Sequence, residues 1–457
     1  MFKKIELWVL FLIIYLFLIS AIFFGYLVRD FHKNKNNTSL TSVADKIASI
    51  PEYLKEIFTL GSDSEIINPH IGLRANDQRF KDKKSGFTFF YKKGDKPDLG
   101  YLLINRFDLD REKSVSELYD LNLQEKVYQW EFDVTDLYAS LALKSEHFDF
   151  KRDAPTNRNL IMHSLLMKNG DLISRSQGGS PLLRNNPCSE LEIFAGDSIY
   201  HHSIESMIHD NKELLYVSKF IEPSVVYPNR KKFNDDAIAI LDLDGNVLFE
   251  KSIVKIFEEN DMGALIFGEN YHRDPIHLND VQPVMYDGKY WKKNDIFLSF
   301  RNQSMIMLYR PETNKVLWYQ QGPWSYQHDV DILNDHTIQV FDNNASNRGK
   351  RGNSRVLTYN FETKKIQTPF SNIFENEKIY TGTRGRAENI LNDKIFIEET
   401  NSGRMLLADI NGDILWEYYA NEIDGYSYSG AWSRYINRDY GDIVKTKLGD
   451  VDCEISS

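Results

Sequence analysis

From about residue 98 the chain keeps returning to one pattern: a strand-like run, a second apolar run, a polar turn, and a run that closes on an aromatic residue. The clearest copies are LYDLNLQEKVYQWEF near Phe132, ILDLDGNVLFEK near Phe249, LYRPETNKVLWYQ near Trp318 and LADINGDILWEY near Trp416. Weaker copies are SPLLRNNPCSELEIF near Phe194 and TYNFETKKIQTPF near Phe370. Asp-Gly, Asn-Gly and Thr-Asn between apolar runs mark hairpins, because the central residues of such turns need φ > 0. Each copy follows another strand-like run, namely GYLLINRFD, GDLISRS, ELLYVSKF, DIFLSFRN, TIQVFDNN or KIFIEET. A unit this small cannot bury both of its faces alone and must stack on its neighbours. Six copies at spacings of roughly 40–75 residues suggest an all-β fold, a six-bladed β-propeller with loop insertions on one face. A β-sandwich array, or a propeller with another blade count, fits the same repeat.

At 457 residues the chain can bury a large core, and its aromatic content of 13% favours strands over helical bundles. A net charge of -11 argues against nucleic acid, which would need a basic stripe. Cys188 and Cys453 are the two cysteines. One bridge in an oxidising compartment and two buried thiols are equally consistent with that number.

The residues from about Glu6 to Val28 form an apolar run long enough to span a bilayer. Its length and the lack of a small-x-small cleavage site favour an uncleaved signal anchor over a cleaved signal peptide. Lys3 and Lys4 face Arg29, Lys33 and Lys35 across the run, so charge leaves the orientation open. The domain expectation is an anchor over 1–29, a linker with a juxtamembrane helix over 30–97, and the propeller over 98–457. Within the linker, Val43, Ile47, Ile50, Leu54 and Ile57 suggest an amphipathic helix broken around Pro51, and 61–90 reads as irregular.

Histidine recurs at one place in the repeat: His163 before GDLISRS, His201-His202 before ELLYVSKF, His277 before DIFLSF and His328 before TIQVFDN. Taking those runs as the innermost strands, the histidines lie in the turns that lead into them and converge on the axis. One histidine in a core is usually structural, but four in register point to a site. Metal binding is one use for converging imidazoles. Arg301 and Asn279 are poor company for a cation and good company for an oxyanion, because guanidinium donates bidentately and an amide donates without adding charge. The anion reading is favoured, with neutral imidazole as nucleophile.

The ordered set His277-Leu278-Asn279, Phe300-Arg301-Asn302 and Gln327-His328-Asp329 resembles the signature of the aryl-sulfate sulfotransferases: a histidine-x-asparagine turn, an arginine-bearing strand and a glutamine-histidine turn. The resemblance covers roughly residues 100–440 and is densest over 270–420. It implies a six-bladed propeller of the bacterial envelope that moves a sulfuryl group from an aryl sulfate to a phenol through a transiently sulfurylated histidine. By motif position, His328 corresponds to the nucleophile, His277 and His202 to the other channel histidines, and Arg301 to the sulfate-binding arginine. Asn279 matches the asparagine of the pair, Asn302 adjoins the arginine, and Thr381 or Thr383 in the TGTRG turn supplies a hydroxyl. No cofactor or metal is expected, and no Walker-type loop or GxGxxG motif is found. The expected partners are a small aryl sulfate donor, a phenolic acceptor and a membrane, with no nucleic acid and the oligomeric state open. The expected location is the inner membrane, single-pass, with the catalytic domain in the periplasm or outside. Asp342-Asn343-Asn344 and Ser354-Arg355 also match and are expected to order a blade. Arg348, Lys350 and Arg351 read as a solvated basic loop. Trp324, Tyr326 and Tyr271 are equally suited to a phenol wall or to packing. The alternative function is a non-catalytic, membrane-anchored propeller that binds an anionic glycan or a protein partner.

Overall fold

The computed structural model describes residues 7–34, 38–48, 73–75, 77, 79–80, 82–143, 145, 148, 150, 154–196, 198–227, 233–267, 273–346, 349–391, 393–420, 422–423 and 426–453. The chain divides into two units, Met1–Asn68 and Pro69–Ser457. In the first, helix α1 spans Leu7–Asn34 and helix α2 spans Ser39–Ala48. The stretch Phe11–Phe31 of α1 is long and apolar enough to cross a membrane. Of the amphipathic run read over 41–60, α2 accounts for the first part; the part around Pro51 lies outside the described residues.

The second unit is a six-bladed β-propeller. Blade 1 contains Tyr101–Asp108, Lys113–Asp120 and Glu125–Phe132, and blade 2 contains Ile161–Leu166, Leu172–Ser176, Leu183–Asn185 and Leu191–Ile193. Blade 3 contains Ile199–His209, Lys212–Phe220, Asp236–Leu241 and Val247–Ser252. Leu278–Pro283, Ile296–Phe300, Met305–Arg310 and Lys315–Gln321 build blade 4. Blade 5 is His328–Ile332, Thr337–Asp342, Arg355–Asn360 and Ile366–Gln367. Blade 6 is Arg386–Ile390, Lys394–Glu399, Arg404–Asp409 and Ile414–Tyr419. The six aromatic-closed repeats are therefore six blades.

Two features of the ring lie beyond the repeat. Arg434–Ile436 pairs with Tyr101–Asp108 and supplies the innermost strand of blade 1, so the two ends of the propeller sequence close one sheet. Gly86–Phe89, in the segment read as irregular, pairs with Ile414–Tyr419 as a fifth, outermost strand of blade 6. Its burial explains why alternation was hard to see: Phe87 and Phe89 both turn to the cluster around Trp416.

Each blade has a neighbour on both faces, so its strands must be apolar on both sides. In blade 1, Leu102 and Ile104 pack toward Phe396 and Leu407 of blade 6. Leu103, between them, turns the other way, toward Leu172 and Leu183 of blade 2. Similar clusters fill the remaining gaps, for example Leu298 with Ile238 and Phe297 with Val340. Truncating a fully buried residue such as Leu103 to alanine removes about 2–5 kcal/mol. Helix Arg438–Gly449 contributes Val444 and Leu448 to the cluster between blades 1 and 2. Just beyond it, Cys453 is bridged to Cys188 in blade 2.

Candidate active site

The innermost strands begin irregularly, and that irregularity makes the site. In blades 2 to 5 the pairing of the innermost strand slips between Met162 and Leu165, His201 and Ile204, Leu278 and Asp280, and His328 and Val330. Such bulges re-aim a side chain that a regular strand would send into a blade interface. Around the ring, at least one non-glycine residue with positive φ sits at or just before each innermost strand: Trp432, His163, His202, His277, Tyr326 with Asp329, and Arg384. A left-handed backbone at non-glycine residues is uncommon and persists where surrounding contacts hold it.

The histidines thus lie on the innermost strands or immediately before them. GDLISRS, ELLYVSKF, DIFLSF and TIQVFDN, read as innermost, are the second strands of their blades. The run-by-run pattern was right, but the assignment was one strand off. Each bulged innermost strand is short of regular alternation, so the second strand looks like the better strand in sequence.

Three of the histidines share one arrangement. His328 Nδ1 lies 2.7 Å from Asn343 Oδ1 and 3.1 Å from the Tyr326 carbonyl. His277 Nδ1 lies 2.7 Å from Asp274 Oδ2. His202 Nδ1 lies 2.9 Å from Nδ1 of His201, whose Nε2 stands 3.0 Å from Asp236 Oδ1. That last contact lacks hydrogen-bond alignment, so it is a close electrostatic approach only. Each imidazole is therefore gripped from behind through Nδ1, and Nε2 of His202, His277 and His328 meets no protein partner among the described residues. The His202 and His277 rings are 4.9 Å apart.

For His328 the grip also decides the tautomer. Asn343 spends its amide N–H groups on the carbonyls of Thr381, at 2.8 Å, and Arg384, at 2.6 Å. Its Oδ1 must then point at His328. With two oxygens facing Nδ1, the proton sits on Nδ1 and the lone pair on Nε2. Burial, aided by the positive charge of Arg301, holds the His328 imidazole down to about 3, so it is neutral at ordinary pH. Burial pulls His202 well below the usual histidine range, assisted by His277.

Arg301 lies over the Tyr326 ring, its guanidinium carbon 4.1 Å from the centroid. Nη1 donates to Asn302 Oδ1 at 3.1 Å, and Asn302 in turn donates to the Asp274 carbonyl at 2.7 Å. Asn302 therefore ties the arginine to the loop that also orients His277. Tyr326 is half-buried at the site, whereas Trp324 packs into the core between blades 4 and 5. Tyr271 and Arg348 lie outside the described residues, and Lys350 sits 4.8 Å from the Tyr380 ring centroid.

Asn279 is fully buried, and its Nδ2 donates to the Gln327 carbonyl at 2.7 Å. That bond ties blade 4 to the residue before His328. Gln327 Nε2 reaches Ser299 Oγ and the carbonyls of Phe300 and Met305, each at 3.1 Å. The Thr381 hydroxyl donates to Asn401 Oδ1 at 2.5 Å and is buried, while Thr383 is exposed and shares Asn401. Asp342 accepts from the Ser325 backbone and from Arg355, so those residues order the blade as expected. Asn343 is different, because it reaches the site. Neither it nor Asp274 was singled out for the site from the sequence. An Asp-x-x-His spacing offered a signal for Asp274; Asn343, fifteen residues from His328 and just past the second strand, offered one only as part of the Asp342-Asn343-Asn344 turn, which reads as ordering the blade.

Among the described residues no group of three or more His, Cys, Asp or Glu side chains is placed to hold a metal ion. The assembled groups are three imidazole Nε2 atoms and a guanidinium. Their chemistry is nucleophilic attack, proton transfer and charge neutralisation on an oxyanion.

No curated protein matches the chain. Among solved structures, a Bacteroides caccae protein of unknown function is 10% identical, with 73% of this chain and 97% of that one covered and a TM-score of 0.44. TolB from Acinetobacter baumannii is 9% identical, with 74% and 65% covered and a TM-score of 0.40. A streptogramin B lyase structure is 12% identical, with 74% and 89% covered and a TM-score of 0.37. These likenesses are too distant to bear on function. The sequence model of the arylsulfotransferase (ASST) family, by contrast, matches residues 166–421, which hold His202, His277, His328, Arg301 and the TGTRG turn. That match spans more than half of the chain, and the protein belongs to the arylsulfotransferase family.

Proposed function

We propose that the protein transfers a sulfuryl group from an aryl sulfate ester to a phenolic or other hydroxyl acceptor, through a sulfohistidine at His328 Nε2. Family membership supports a sulfotransferase. The observation that carries the finer reading is the state of His328: neutral, with its lone pair on an Nε2 that has no protein partner.

In the first half-reaction Nε2 attacks sulfur, an N–S bond forms, and the S–O bond to the aryl group breaks. The departing phenoxide takes a proton from His277, with the neutral His202 ring beside it. Arg301 faces the sulfuryl oxygens, where charge lies throughout a loose transition state, so positioning and electrostatics do most of the work. In the second half-reaction the acceptor hydroxyl returns its proton to the same histidine, its oxygen attacks sulfur, and the N–S bond breaks. His277 suits this exchange because Asp274 holds its ring through Nδ1 and leaves Nε2 without a partner among the described residues. In this reading Asn279 acts as a strut for the Gln327–His328 turn, Thr383 offers an exposed hydroxyl held by Asn401 at the rim, and the reaction is ping-pong. The helix Leu7–Asn34 anchors the enzyme to the inner membrane with the propeller on the periplasmic or outer side.

The test uses the full chain in detergent, a chromogenic aryl sulfate, and phenol as acceptor. Phenol-dependent release of chromophore that is lost in His328→Ala, with a sulfurylated His328 peptide seen by mass spectrometry when acceptor is withheld, is the expected result. Turnover that survives in His328→Ala rejects the nucleophile assignment.

A further inference from the structure

Arg175 has no part in the reaction just described. It stands near the end of the second strand of blade 2 and is 2% exposed. Its Nε donates to the His202 carbonyl at 2.9 Å and its Nη1 to the Ser176 carbonyl at 3.0 Å. Among the described residues no carboxylate pairs with it, and Nη2 donates to no protein group. Other buried arginines of this propeller are paired: Arg386 with Asp329 and Glu388, Arg404 with Glu377, and Arg434 with Glu205. That is the rule for buried charge, since removing an ion from water costs several kcal/mol.

The charge that bears most on Arg175 is of its own sign, and among the described residues only the Tyr138 phenol opposes it. Burial, together with Arg384 of blade 6, pulls its guanidinium down to about 9. Beside it, His163 is also 2% exposed, and its Nδ1 has no hydrogen-bond partner among the described residues. Its ring stacks on Trp432 at 4.2 Å, and Arg175 is the charge that bears on it most. The left-handed turn at His202 thus has an uncompensated guanidinium on one side, next to a buried imidazole with unspent hydrogen-bonding capacity. Arg301 approaches from blade 4, two blades further round the ring.

We propose that Arg175, with His163 beside it, forms a second anion subsite, and that the substrate carries another acidic group besides the sulfuryl group being moved. A carboxylate or a second sulfate ester supplies the same chemistry. A singly charged aryl sulfate satisfies Arg301 and leaves Arg175 uncompensated; a dianionic one satisfies both. The identity of the group at Arg301 rests on the transfer reading above, but the existence of the Arg175 subsite does not.

The experiment measures binding, not turnover. Calorimetry on the full chain in detergent, at fixed ionic strength, compares benzenesulfonate, meta-sulfobenzoate and meta-benzenedisulfonate, none of which has a transferable sulfuryl group. Wild type is expected to prefer at least one dianion over the monoanion by about tenfold or more, as a charge-assisted bond to a buried guanidinium would give. In Arg175→Met that ratio is expected to fall toward one, and in Arg175→Lys, the variant more certain to fold, to fall part of the way. The disulfonate and the sulfobenzoate show whether a sulfuryl or a carboxylate group fits better. Equal affinity for monoanion and dianions in wild type, or a preference unchanged in both variants, overturns the proposal. A dianion preference lost in the variants, in a wild-type chain that turns over no aryl sulfate, keeps the subsite and rejects the transferase reading.

Discussion

Replacing Asn343 by leucine tests the claim that the reactive tautomer of His328 is imposed by the fold. In wild type the Nδ1 proton has two acceptors, Asn343 Oδ1 at 2.7 Å and the Tyr326 carbonyl at 3.1 Å. The other tautomer would aim a lone pair at both oxygens. Leucine keeps the branched heavy-atom shape of asparagine, with bulkier methyl groups, and removes the shorter contact, leaving the longer one. A buried hydrogen bond of this kind is worth about 1–3 kcal/mol, so the reactive tautomer should become about 10–100 times less populated relative to its alternative. The expected result is a fall of about that size in kcat/KM for a chromogenic aryl sulfate. Leucine also abandons the carbonyls of Thr381 and Arg384, so some stability is lost whatever the tautomer does. The decisive readout is therefore nitrogen NMR of His328, which distinguishes a protonated Nδ1 from a protonated Nε2. A wild-type spectrum with the proton on Nε2, or a folded Asn343→Leu protein with unchanged kcat/KM, would refute the reasoning.

Three further outcomes follow from the same structure. His163, His201, His202 and His328 are held neutral by burial, so the unfolded chain takes up protons that the folded one refuses. Stability should be full above about pH 6.5, the ordinary histidine value, and fall as pH drops toward about 3, by up to about 1.4 kcal/mol per pH unit for each such histidine; thermal melts between pH 7 and 4.5 check this. Arg301→Gln should lower kcat/KM by about 100-fold, and Arg301→Lys should not restore it, because lysine has neither the fork nor the flat face that lies on Tyr326; steady-state kinetics on both variants decide it. Cys453→Ser should destabilise the propeller by about 2–5 kcal/mol, since the bridge to Cys188 encloses most of the ring, and a denaturant titration beside wild type measures it.

The ring was legible because its signals are local. Hairpin turns between apolar runs lie within one repeat, and their number is the number of blades. The apolar helix at the N-terminal side was legible for the same reason, as a property of one continuous segment. His277, Arg301 and His328 were legible through the order of their motifs. The strand assignment slipped because bulges at His202 and His328 break the alternation that marks a strand, and those bulges are what aim the imidazoles.

What the sequence determined by itself is therefore what contiguous residues can specify: six repeats, one apolar span and the residue types brought to the mouth of the channel. Tertiary structure alone decided which nitrogen of His328 holds the proton, because Asn343 follows the second strand and is itself oriented by carbonyls of the segment leading into the next blade. It also decided how the ring closes, with Arg434–Ile436 pairing to a strand more than three hundred residues earlier, and which of the two open cysteine states is realised. The same holds for Arg175, whose lack of a counter-charge is a fact about every chain segment around it. Hydrogen-bond partners, ring closure and uncompensated charge depend on distances between residues remote in the chain, and no local pattern encodes those distances.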